Sequence, residues 1–291
     1  GELARDEIIV VSKIGYVQGQ NLKDAEVRER AGRPYPEMVK YGEGVWHCLH
    51  PEFLADQLDG SLDRLGLARL DVCLLHNPEY MLCEAAQRAP GNVAEVRERF
   101  YARVEQVFAY LETQASAGRI SWYGISSNTI GRDSQDPEAT SLSDLLSAAV
   151  KAAASRGSSD HRFAVLQCPL NLFESEVWSS RTKWQRENLS VLEAAARHEL
   201  AVLVNRPLNA MPASRSGMIR VADVALEGEA GSIEDALRAV SRLEEEYQSS
   251  LAPAIPHGGK GMHPKDFFNW AQELGALQSH LQGLEHWEQI E

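Results

Sequence analysis

Lys13 and His76 each close a short apolar run, Ile8-Ile9-Val10-Val11-Ser12 before the first and Leu70-Asp71-Val72-Cys73-Leu74-Leu75 before the second. An ammonium and an imidazole at the ends of strand-like runs are groups that transfer protons and stabilise developing negative charge. Three more apolar runs end in polar groups. Residues 120–125 lead into Ser126-Ser127-Asn128, residues 163–166 into Gln167, and residues 201–204 into Asn205-Arg206-Pro207-Leu208. Each has a plainer reading. Lys13 could be a surface lysine, His76 a structural histidine, Gln167 a hydrogen-bonded amide, and Ser126-Ser127-Asn128 a turn. The case for chemistry rests on Lys13 and His76 occurring together.

Two other clusters are weaker. His47-Cys48-x-His50 offers ligand types that zinc takes, but a closed site needs about four ligands. No partner cluster accompanies it, so no metal is expected. His257-Gly258-Gly259-Lys260-Gly261-Met262-His263 lacks the spacing of a phosphate loop, and no strand precedes it. It reads as a linker.

The 291 residues carry 42 acidic and 29 basic side chains, a formal net charge of -13. Duplex-binding proteins show the opposite balance, so no nucleic-acid partner is expected. No apolar run approaches the ~20 residues that span a bilayer, so no membrane partner is expected either. Cys48, Cys73, Cys83 and Cys168 form no CxxC pair, and two of them sit in apolar strand-like runs. They read as reduced thiols, with a cytoplasmic location expected. Gly1 opens almost directly into a strand and an amphipathic run closes the chain, so both ends are read as cut.

The elements that must carry these groups are strands alternating with helices. Residues 8–11, 70–75, 120–125, 163–167 and 201–204 read as five strands, the first lacking the alternation of a half-exposed strand. Helices are expected from Pro51 to Gly66, over residues 93–117, from the box Ser141-Leu142-Ser143-Asp144 to about Ser155, and over about 187–197. A glycine- and proline-punctuated loop fills the stretch before Pro51. This βαβ spacing implies a parallel sheet with helical crossovers. No GxGxxG follows any strand, which weakens an open dinucleotide-binding sheet. After Asn209 a helix is expected over 232–251, then a Pro/Gly loop. A second helix follows, with a seam of Phe267, Trp270, Leu274, Leu277, Leu281 and Leu284.

Four stretches resemble the aldo-keto reductase superfamily in order and spacing. Arg5-Asp6-Glu7-Ile8-Ile9-Val10-Val11-Ser12-Lys13 resembles its third strand. Leu62-Asp63-Arg64-Leu65-Gly66-Leu67 with Leu70-Asp71-Val72-Cys73-Leu74-Leu75-His76-Asn77-Pro78-Glu79 resembles the next helix and strand. Gly118-Arg119-Ile120 with Gly124-Ile125-Ser126-Ser127-Asn128 resembles the fifth strand. Gln167-Cys168-Pro169-Leu170-Asn171-Leu172 and Asn205-Arg206-Pro207-Leu208 resemble the sixth and seventh. The match runs roughly from Arg5 to Leu208.

The resemblance implies an α/β fold, a (β/α)8 TIM barrel incomplete in this chain, with a C-terminal helical extension. The barrel part is expected over 1–222 and the extension over 223–291. It implies an NADP- or NAD-dependent oxidoreductase that moves hydride between nicotinamide and an aldehyde, ketone or sugar. In that family a tyrosine protonates the carbonyl oxygen, a lysine and an aspartate adjust the tyrosine, and a histidine contacts the substrate oxygen. Lys13 and His76 match the lysine and histidine. Ser126, Ser127, Asn128, Gln167, Asn205, Arg206 and Leu208 fall on cofactor-contacting positions. Asn205 stands where relatives carry an aromatic that stacks on nicotinamide. The aspartate and tyrosine lie before the third strand and have no match here; Tyr16 and Tyr35 are not assigned their role. The fragment alone is expected to be inactive. Two other readings stay open. One is a nicotinamide-binding sensor or assembly subunit that docks or self-associates through the C-terminal helices. The other is a metal hydrolase built around His47, Cys48 and His50.

Overall fold

The computed structural model describes residues 4–88, 92–184, 187–211, 217–220, 232–254 and 263–266, with single positions 268, 271 and 275. The chain divides into two compact units, Gly1–Val224 and Ala225–Glu291.

In chain order the first unit contains β1 (Val11–Ile14), β2 (Tyr16–Val17), α1 (Gln20–Arg30), β3 (Val39–Gly42), β4 (Val45–His47) and α2 (Pro51–Leu65). Then come β5 (Leu70–His76), α3 (Tyr80–Arg88), α4 (Val93–Ser116), β6 (Ile120–Ser126), α5 (Leu142–Ala154) and β7 (Phe163–Pro169). It ends with α6 (Glu176–Ser179), β8 (Thr182–Trp184), β9 (Glu187–Leu189), α7 (Val191–Arg197), β10 (Ala201–Asn205), β11 (Asn209–Ala210) and β12 (Ile219–Arg220). A five-stranded parallel sheet has the order β1-β5-β6-β7-β10. The strands neighbour one another in the order the chain makes them, and the architecture is α/β. Among the described residues the sheet does not close into a barrel.

The helices form for local reasons. Pro51 opens α2, the His50 ring accepts the Glu52 N–H, and Gly66 ends it at φ 63°. Ser141 caps α5 by accepting the Asp144 N–H at 3.3 Å. In α4, Phe100, Val104, Val107, Phe108 and Leu111 are all fully buried. Their spacing is one helical face. Burying each contributes on the order of 1.5–3 kcal/mol. This face joins Cys73, Leu75, Ile125, Leu166 and Cys168 in the main core. The opposite face of the sheet holds a small second cluster of Val72, Leu74 and Val165.

Three expectations are corrected. The first strand runs Val11–Ile14 rather than over 8–11. Val10 precedes the strand: its N–H turns to the Asp71 carboxylate at 2.7 Å while its carbonyl accepts the Asp71 and Val72 N–H groups at 3.1 Å, and Ile9 is 79% exposed. The expected loop before Pro51 contains α1 and a second sheet, ordered β2-β4-β3. Helix α1 buries Ala25 alone, so it carries no apolar stripe to read. Residues 187–189 form β9, paired with β8, so the helix there starts only at Val191.

In the second unit, α8 (Ile233–Glu246) passes into a π-helical turn at Tyr247–Leu251. The Tyr247 hydroxyl donates to the Pro264 carbonyl at 2.8 Å. The seam residues Phe267, Trp270, Leu274, Leu277, Leu281 and Leu284, and residues 257–262 of the linker, lie outside the described residues. No described helix is long and apolar enough to cross a membrane. The four cysteines are free and buried.

Candidate active site

Strand register decides which polar groups can meet. Partners across a parallel ladder share a face, and residues two apart on one strand share it too. Lys13 pairs with Leu74, His76 with Ser126, Ser126 with Gln167, and Asn205 with Pro169. Lys13, His76, Ser126, Gln167 and Asn205 therefore lie on one face, the face of the smaller cluster. All sit at or near the C-terminal ends of their strands.

The groups connect. The Lys13 ammonium reaches over β5 and donates to Ser126 Oγ at 3.5 Å. Ser126 Oγ donates in turn to Gln167 Oε1 at 3.0 Å. Gly124 sits on the same face beside Leu74. A Cβ there would fall 1.9 Å from the Val165 carbonyl oxygen, so only glycine fits where β6 shifts register against β7. Burial lowers the Lys13 pKa. His76 is pushed down to about 4 by burial, then by the positive charge of Lys13 and by His47. At neutral pH its imidazole is uncharged, with one N–H to offer an oxygen.

Ser127 and Asn128 do not join that row. The Ser127 hydroxyl pairs with Thr140 at 2.9 Å. Asn128 Oδ1 accepts from Arg206 Nη2 at 3.2 Å, and the Asn128 N–H donates to Glu79 Oε1 at 2.7 Å. Arg206, at φ 55°, also donates to Glu174 at 2.6 Å. Leu208 is 71% exposed. Among the described residues, two buried atoms at the end of β10 have no hydrogen-bond partner, Asn205 Oδ1 and Arg206 Nε.

Several residues were missed by sequence reasoning. Glu174 accepts from Arg206, from the Asn171 amide and from the Met211 N–H, tying together the loops after β7 and β10. Its signal was local: Asn171 Oδ1 accepts the N–H groups of Phe173 and Glu174, a turn that Asn-x-x-Glu could have suggested. Glu79 is buried, and burial raises its carboxyl to about 7. Tyr16, three residues past Lys13, packs its ring against His76 with centroids 4.6 Å apart. The residues of the metal-like cluster make other contacts. His47 Nε2 donates to the His76 carbonyl at 2.6 Å, Cys48 Sγ donates to the Pro36 carbonyl, and His50 caps α2. Among the described residues no group of three ligands could hold a metal.

A sequence model of the aldo/keto reductase family matches residues 2–155. No curated protein matches the chain. Solved structures similar to it include an aldose reductase from Giardia lamblia, 14% identical over 84% of this chain and 56% of that one, with a TM-score of 0.42. Another is a glycerol dehydrogenase from Gluconobacter oxydans, 15% identical over 84% of this chain and 56% of that one, at 0.39. A third is an aldo/keto reductase from Klebsiella pneumoniae in complex with NADP and acetate, 18% identical over 70% and 44%, at 0.36. The chain spans about half the length of these structures.

Proposed function

Because the chain belongs to the aldo/keto reductase family, we propose that it carries the site of a nicotinamide-dependent oxidoreductase acting on a carbonyl or alcohol. The substrate is an aldehyde, ketone or sugar, and the cofactor is NADP, with NAD the alternative. The observation that supports this best is the shared face of Lys13, His76, Ser126, Gln167 and Asn205.

The residues suit a nicotinamide cofactor. Ser126 and Gln167 offer a hydroxyl and an amide at neighbouring strand ends. Among the described residues, Asn205 Oδ1 and Arg206 Nε are a buried acceptor and a buried donor without partners. Leaving such atoms unmade costs about 1–3 kcal/mol each, so a ligand that satisfies them gains by it. Ser127, Asn128 and Leu208 belong to the cofactor contacts this reading assigns. When bound, the cofactor supplies or accepts the hydride. His76, neutral at working pH, donates to the substrate oxygen and orients it. Lys13 keeps a positive charge where the conjugate base of a proton donor needs one.

The test is a titration of NADPH and NADH with the protein carrying this chain, followed by turnover across a panel of aldehydes, ketones and sugars. Saturable binding and turnover are expected, with Lys13→Met lowering kcat by roughly 10²-fold or more. No binding and no turnover across the panel would sink the reading.

A further inference from the structure

His76 presents an unusual problem of orientation. A functional imidazole is ordinarily held by a hydrogen bond to the ring nitrogen that does not do the work. Among the described residues no hydrogen bond is made to either ring nitrogen of His76. Its backbone is fixed instead, by His47 Nε2 on its carbonyl at 2.6 Å. That clamp fixes the chain and leaves the side-chain torsions to packing.

Among the described residues, the aromatic ring packed against the imidazole is that of Tyr16. Its ring lies 4.6 Å from the His76 ring, tilted by 56°. Tyr16 is itself held at three points. Its hydroxyl donates to the Tyr80 hydroxyl at 2.5 Å and accepts from Asn77 Nδ2 at 3.5 Å. Its carbonyl accepts from Gln57 Nε2 at 2.7 Å, and Gln57 Oε1 accepts the Gly15 N–H at 2.5 Å. Gly15 has φ 121°, and a Cβ there would meet the His47 ring at 2.9 Å. The turn from Lys13 to Tyr16 is thus locked against the same histidine that clamps His76. Asn77 sits at φ 44°, a conformation asparagine tolerates, and its amide ties the turn after His76 back to Tyr16.

We propose that Tyr16 is a positioning residue, whose ring sets the orientation of the His76 imidazole. This rests on the reading of His76 as the group that meets the substrate oxygen. It concerns the ring rather than the hydroxyl: the ring orients the imidazole, Gln57 holds the Tyr16 backbone in place, and the hydroxyl bonds to Tyr80 and Asn77 only add to that hold. Groups that influence His76 electrostatically are Lys13 and His47.

The experiment is nuclear magnetic resonance of the His76 side chain in the protein carrying this chain, and it needs no turnover. It therefore stands or falls separately from carbonyl reduction. In the wild type, nuclear Overhauser contacts between the Tyr16 and His76 ring protons are expected; their absence overturns the proposal without any variant. Tyr16→Phe keeps the ring and should leave the His76 tautomer unchanged and its titration midpoint within about 0.3 pH unit. Tyr16→Leu removes the ring and should broaden or switch the tautomer signals and raise the midpoint by about one pH unit as water reaches the imidazole. If Tyr16→Leu leaves tautomer and midpoint alone, or if Tyr16→Phe changes them as much, the ring does not set the orientation. In turnover assays the same split should appear in kcat, with Tyr16→Phe restoring what Tyr16→Leu loses.

Discussion

Glu79 is a buried carboxyl whose pKa is raised from 4.5 to about 7, chiefly by burial. The sign of its effect on stability follows. The folded state holds this proton more tightly than the unfolded chain does. Stability is therefore lost as pH rises from about 4.5 to about 7, and the loss is complete above that. Glu79→Gln keeps an oxygen to accept the Asn128 N–H and removes the titration. Its melting temperature should match wild type near pH 4.5 and exceed it at pH 8, by on the order of 1–3 kcal/mol of stability. A difference independent of pH would show that Glu79 does not titrate in this window. At this scale the sequence exposed Lys13, His76, Ser126 and Gln167, because each ends an apolar run. It did not expose Tyr16, Glu79 or Glu174. Those residues act through partners far along the chain, such as Gln57, Asn128 and Arg206, and local spacing records at most the Asn171–Glu174 turn, not these pairings.

Strand β6 is the element on which the site turns. It carries Ser126 on one face, shifts register against β7 at Gly124, and packs Tyr123 into the main core. Gly124→Ala would drive a methyl into the Val165 carbonyl, which backbone cannot yield cheaply. A loss of about 3 kcal/mol is expected, measured by denaturant unfolding. The Lys13–Ser126 and Ser126–Gln167 contacts should loosen with it. An unchanged midpoint would mean that the sheet repacks freely at this position. The five parallel strands were legible because buried strands read as continuous apolar runs. The small sheet of β2, β3 and β4 was not. Its strands are two to four residues long, their burial is mixed, and α1 beside them buries only Ala25. The start of the first strand was misplaced because the Val10 N–H turns to the Asp71 carboxylate, a partner distant in sequence.

Over the whole molecule, β1 and β10 each keep one edge without a partner strand among the described residues. Ile9, Val11 and Val204 near those edges are exposed. Free edges with apolar neighbours are templates for pairing with another chain. The 291-residue chain is therefore expected to self-associate, and Val204→Lys should weaken that association by about tenfold, or 1.4 kcal/mol, in sedimentation. Association unaffected by the lysine would place the contact elsewhere than on the β10 edge. What the molecule does with its polar face is decided most directly by following one atom. The protein carrying this chain should be incubated with reduced nicotinamide cofactor carrying deuterium at both C4 positions and with the panel of aldehydes, ketones and sugars, and the products weighed by mass spectrometry. Deuterium on the former carbonyl carbon, abolished or sharply reduced in Lys13→Met and His76→Phe, is the expected result. Product lacking deuterium, or none formed from any carbonyl although the cofactor binds, would contradict hydride transfer at this site.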